Sequence, residues 1–338
     1  MKIKLLPALL VLFITSGVFA QENKPAIPDI DRIRLAEAFR IGETLGNKVW
    51  KQWDKAPFAV LLITPENEFL IRHPKPSEDF TLIGYDSLLK SDVYFRKRTL
   101  QTGLLATFPA VGGVSTIVIG QAENTSKKTS TPWVVTVLHE HFHQLQSSQP
   151  DYYKEADALN LSGGDQTGMW QLNFAFPYKD PQTGERFSAL SKLLAETLQT
   201  KKNSGFAAKL KDYLRAREAF QQMLSPNDYK YFTFQIWQEG IARYTEWRIA
   251  DLAARKYKPS KEFLALKDYT PFSKVSDTTL NKQIMASLPT LQLEKSERNV
   301  FYPFGAAEGL LLDRANPKWQ SRYLIEKFYI DKYFAKSK

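Results

Sequence analysis

Residues 131–145 read Thr131-Pro132-Trp133-Val134-Val135-Thr136-Val137-Leu138-His139-Glu140-His141-Phe142-His143-Gln144-Leu145, and this stretch decides the rest. Pro132 suits the first turn of a helix, and Thr131 stands where a cap is expected. Val134, Leu138, Phe142 and Leu145 recur at spacings of four, four and three, which predicts an amphipathic helix with one buried stripe. His139 and His143 then lie one turn apart on a neighbouring face and can reach one metal ion. Glu140 sits about 100° round the helix, within reach of a water on that ion.

The residues satisfy H-E-x-x-H. The chain holds only four histidines, and three of them fall within five positions. At this composition a chance match is expected in roughly a few per thousand chains of this length. His141 points about 200° away from His139, so a packed or hydrogen-bonded role is expected for it. His73 lies in the Pro-flanked segment Arg72-His73-Pro74 and reads as a loop residue.

Upstream of this helix, Ile30 to Trp53 carries apolar residues at near-helical spacing. Residues 58–64, 68–72, 80–83 and 114–120 read as strands of a small sheet. Downstream, residues 163–181 read as irregular, and helices are expected over 186–200, 206–223, 227–255 and 305–314, with a last one over 323–334. The order of one helix, a sheet and then many helices predicts an α+β fold. It divides into residues 1–20, a sheet-containing half (21–150) ending in the His139 helix, and a mainly helical half (151–338).

A catalytic site of this kind needs a third protein ligand and an open position. No Cys is present and no further His lies nearby, so a carboxylate is expected. Ser162, Leu161 and Gly163 occupy the usual short spacing and offer no ligand. Glu155 and Asp157 fall just past the expected helix end. Glu239, in Trp237-Gln-Glu-Gly-Ile-Ala-Arg-Tyr244, is the better candidate, with Gly240 and Ala242 small enough for close helix approach. The competing reading pairs Glu239 with Arg243 one turn on. Glu246, seven residues past Glu239, is placed to orient a ligating histidine.

H-E-x-x-H followed at long range by W-x-E-G-x-A-x-Y resembles the gluzincin metallopeptidases, particularly the peptidase MA-like group. The matching residues are His139, Glu140 and His143, then Trp237, Glu239, Gly240, Ala242 and Tyr244. Tyr302-Pro-Phe-Gly305-Ala-Ala is similar to a helix that follows in such proteins. The resemblance covers these segments alone, and the separation of His143 from Glu239 is long for the group. It implies a zincin-like fold, one Zn²⁺ per chain held by His139, His143 and Glu239, and a peptide or protein substrate. Glu140 would be the general base in hydrolysis of the peptide bond, with Tyr244 and Tyr302 as candidate oxyanion donors. The alternative is a non-catalytic exported zinc-containing protein that binds a peptide or an envelope partner. A serine hydrolase finds no support, because Ile117 stands where the nucleophile elbow around Ser115 needs Gly.

Lys2 and Lys4, the apolar run Leu5–Ile14, and small residues ending at Ala20 read as a cleaved signal peptide. Export to a periplasm or secretion is therefore expected, without stable membrane insertion once the signal is removed. The formal charge is +10, of which Lys2 and Lys4 carry two. The basic residues are dispersed, so a nucleic-acid partner is not expected.

Overall fold

The computed structural model describes residues 24–201 and 205–335. The segment read as a signal peptide lies outside the described residues. Helix α1 (Asp29–Val49) opens the fold. Six strands follow: β1 (Val60–Ile63), β2 (Asn67–Ile71), β3 (Thr81–Asp86), β4 (Ser91–Lys97), β5 (Leu105–Val111) and β6 (Val114–Gly120). They form one sheet in the order β3-β4-β2-β1-β6-β5, with β1 and β6 parallel and the other pairs antiparallel.

Central β1 is Val-Leu-Leu-Ile, buried at every position. Alternation along the strand sends its side chains to opposite faces. Val60 and Leu62 join the main core with Phe69, Ile117 and Ile119. Leu61 and Ile63 join a smaller cluster with Leu70, Val118, Phe80 and Val111. A strand covered on both faces reads as an unbroken apolar run. Each such side chain contributes about 1.5–3 kcal/mol by leaving water.

Strands β4 and β5 were not expected from the sequence. Charged residues flank the apolar centre of β4, and Pro109 interrupts β5. Strand β5 lies at the sheet edge, and its register with β6 shifts between Phe108 and Val111, around the proline. An edge strand with an irregularity is where a sheet accepts proline.

Helix α2 (Ser130–Ser147) carries the three clustered histidines. It is buried on almost every side, not along one stripe as expected. The sheet and α1 lie against it, and the helical half covers it further. Its start also differs from expectation. Thr131 lies inside the helix and its hydroxyl accepts from the Thr270 amide. The capping acceptor comes from elsewhere: Asp268 takes the Ser130 N–H at 2.8 Å and the Ser130 hydroxyl at 2.7 Å. Buried Arg34 donates to the Ser130 hydroxyl and to both Asp268 and Glu123, tying α1 to this helix end.

The helical half contains α3 (Pro181–Gln199), α4 (Phe206–Met223) and α5 (Pro226–Gln235). Helix α5 runs through a π-helical segment, Ile236–Gly240, into α6 (Ile241–Lys256). Helix α7 (Phe301–Ala315) packs across this junction. The last expected helix is only a short turn, Gln320–Tyr323, and a 3-10 stretch, Ile330–Phe334. One apolar core includes residues from Ile27 to Tyr333, so packing is continuous across the boundary at residue 150. Among the described residues no helix is long and apolar enough to cross a membrane. The architecture is α+β, with an N-terminal sheet and a helical C-terminal half.

Candidate metal centre

The π-helical segment brings Glu239 to the histidines of α2. Such segments insert one extra residue into a helical turn and recur at functional sites. Two glycines set the approach: a Cβ on Gly240 would fall 2.5 Å from Gly305 Cα, so the two backbones touch where α7 crosses. Neither position has room for a side chain.

His139, His143 and Glu239 each offer one atom to a common point. The two Nε2 atoms lie 3.2 Å apart. Glu239 Oε2 lies 3.4 Å from His143 Nε2 and 3.9 Å from His139 Nε2. A tetrahedral ion with bonds of about 2.0–2.1 Å spaces its ligands roughly 3.3–3.4 Å apart. The three observed separations are close to the edges of that tetrahedron, so this buried group can hold a metal ion.

Neighbouring groups direct the ring protons away from that point. Gln146 Oε1 lies 2.6 Å from His143 Nδ1. Glu246 Oε2 stands 3.2 Å from His139 Nδ1, as its position in the sequence anticipated, though too obliquely for a well-formed hydrogen bond. A neutral histidine that keeps its proton on Nδ1 presents a lone pair at Nε2. Two such lone pairs and a carboxylate oxygen then face one another, which is stable only with a cation or a proton among them.

The electrostatics follow from this. Burial acts to lower the His143 pKa, but the Glu239 carboxylate, with Glu140 and Gln146, pushes it up to about 9. Burial acts to raise Glu239, but His143, Arg298 and His139 hold it well below the usual carboxylate range. Arg298 donates to Glu239 Oε1 at 3.0 Å and to the Tyr302 oxygen at 3.0 Å, leaving Oε2 for the histidines. The pairing of Glu239 with Arg243 is not formed; Arg243 bonds Glu246 at 2.7 Å instead.

Glu140 and His139 line a cleft of about 390 Å³, together with Tyr302, Arg243 and Lys127. Thr107, on edge strand β5, donates to Glu140 Oε2 at 2.8 Å. The Tyr302 ring stacks near that of His139, with centroids 6.4 Å apart. Burial and then Glu239 push its hydroxyl well above the usual phenol value, so it keeps its proton.

Tyr244 is not at the site. Its hydroxyl donates to Asp313 at 2.7 Å, and its ring packs on Trp319 and against Gly309. Five positions past Glu239 correspond to about 140° round a helix, which turns it toward α7 instead of the cleft. His141 stacks on Phe58 with centroids 3.7 Å apart, and burial pushes its pKa down to about 3. His73 is a loop residue whose Nδ1 accepts from the Lys75 amide.

Sequence reasoning missed Thr107, Gln146 and Arg298. Gln146, three residues past His143, was legible from helix spacing. Arg298 carries no local signal, because only the tertiary fold brings it to Glu239. No protein-family model matches the chain, and searches of curated proteins and of solved structures found no match either.

Proposed function

We propose that the chain is an exported zinc metallopeptidase of gluzincin type. The observation that carries this reading is the triad spaced like the edges of a zinc tetrahedron, with Glu140 next to it in the same cleft. A sheet followed by the metal helix and a helical half supports a zincin-like fold. Export rests on the signal-like residues 1–20.

His139, His143 and Glu239 would hold the ion. Zinc, when bound, supplies Lewis acidity that acidifies water and polarises a carbonyl. Glu140 accepts the proton of the attacking water and passes it to the leaving amine nitrogen. Thr107 fixes its carboxylate for both transfers. The Tyr302 hydroxyl donates to the oxyanion, because Arg298 occupies the other side of its oxygen. Glu246 steadies the His139 ring from behind.

The test is metal content by mass spectrometry of the purified full chain, with turnover of a mixed peptide pool. One zinc per chain is expected, lost in both His139→Ala and Glu239→Ala. Absence of zinc after reloading, or its retention in Glu239→Ala, would overturn the ligand set. A zinc-loaded protein that cleaves no peptide would point to the non-catalytic reading.

A further inference from the structure

Two cations in the cleft have no part in the chemistry just described. Arg243 Nη1 lies 2.7 Å from Glu246 Oε2, and Lys127 Nζ lies 3.8 Å from Glu246 Oε1. One carboxylate thus faces two positive charges, a local surplus; Glu140, the other carboxylate of the cleft, is engaged by Thr107 instead. The Arg243 and Lys127 side chains are only 17% and 18% exposed, so water screens that surplus poorly. Arg243 Nη1 also donates to Gln283 at 3.0 Å. Among the described residues its Nε and Nη2 donors, and the Lys127 ammonium, make no hydrogen bond.

The place of this surplus matters as much as its sign. Arg243 lies over the Tyr302 ring, its guanidinium carbon 5.6 Å from the centroid. Both cations share the cleft with Glu140 and His139. An anion held there would sit one side chain away from the reacting groups. A guanidinium edge offering two parallel donors matches a carboxylate, and an adjacent ammonium adds a point charge.

We propose that Lys127 and Arg243 form a carboxylate-recognition subsite, so that the preferred substrates are peptides with a carboxylate next to the cleaved bond. That carboxylate is either a free C-terminus or an acidic side chain. The substrate class rests on the hydrolase reading; the subsite does not. Both residues determine specificity and take no part in bond cleavage.

The experiment uses the full chain, zinc-loaded and carrying Glu140→Gln to stop turnover. Calorimetry compares N-acetyl-Ala-Ala, its C-terminal amide, and N-acetyl-Ala-Glu amide. At least one carboxylate peptide should bind about tenfold or more tightly than the neutral amide. The arm that carries the preference identifies the source of the carboxylate. Adding Arg243→Gln or Lys127→Gln should remove most of the preference while zinc content stays at one. Among the described residues the Lys127 ammonium makes no hydrogen bond, so its variant guards against a folding artefact. Equal binding of all three peptides overturns the proposal, as does a preference that both variants keep, which would place the carboxylate on the metal. Carboxylate preference in a chain whose wild type cleaves no peptide would overturn the peptidase reading and the substrate class with it, and leave the subsite standing. Cleavage without the preference would do the reverse.

Discussion

Two glutamates in the helical half, Glu308 fully buried and Glu239 partly so, have opposite surroundings. Glu308 on α7 accepts from the Tyr213 hydroxyl at 2.6 Å and from Arg217 Nε at 2.6 Å. Its oxygens meet groups that bring protons. Glu239 meets such a group only at Oε1, through Arg298. Its Oε2 faces two imidazole nitrogens instead. Burial alone does not mark a functional carboxylate. An acceptor held against other acceptors does, because the fold keeps room for a cation it does not itself supply.

The largest expected effect lies beside the Glu239 cluster. Glu140→Gln should lower turnover by about 10²–10⁴ while zinc content is unchanged; retained turnover would remove Glu140 as the general base. Next, Arg217→Met strands the Glu308 charge. It should cost about 3–5 kcal/mol in chemical denaturation, with zinc still bound. Zinc loss in that variant would break the distinction between a structural and a functional region. Tyr302→Phe should lower kcat by about 10²–10³. Tyr244→Phe should leave kcat alone, since its hydroxyl serves Asp313. The smallest effect is in pH. His143 in the metal-free protein holds its proton up to about 9, and that proton must leave before an ion can bind. Below that value apparent zinc affinity should weaken by up to about tenfold per pH unit in a chelator competition. A flat profile would mean that Glu239 does not hold a proton on His143.

What the sequence revealed depended on range. His139, Glu140 and His143 stand on one helix, so spacing alone placed them together. Glu239 was legible because small residues beside it announced a close crossing, and Gly240 against Gly305 is that crossing. Tyr244 misled because a motif lists residues in a line, whereas helix rotation carries it to the far side. Strand β5 was hidden by Pro109, and with it Thr107, the partner of Glu140. The cap on α2 was hidden for another reason: Asp268 lies far along the chain from Ser130. Local periodicity carries no trace of contacts made by chain closure.

Gln146 joins the two halves of the centre without any ion. Its carbonyl meets His143, while its amide donates to the backbone carbonyls of Trp237 and Gln238, beside Glu239. The ligands are thus held in register by an uncharged latch. Less ordering is then left for the moment of loading. Chelation and reloading should therefore leave the fold unchanged, which circular dichroism of the metal-free and reloaded chain checks. The same latch would hold the ligand geometry in the empty and in the loaded chain alike.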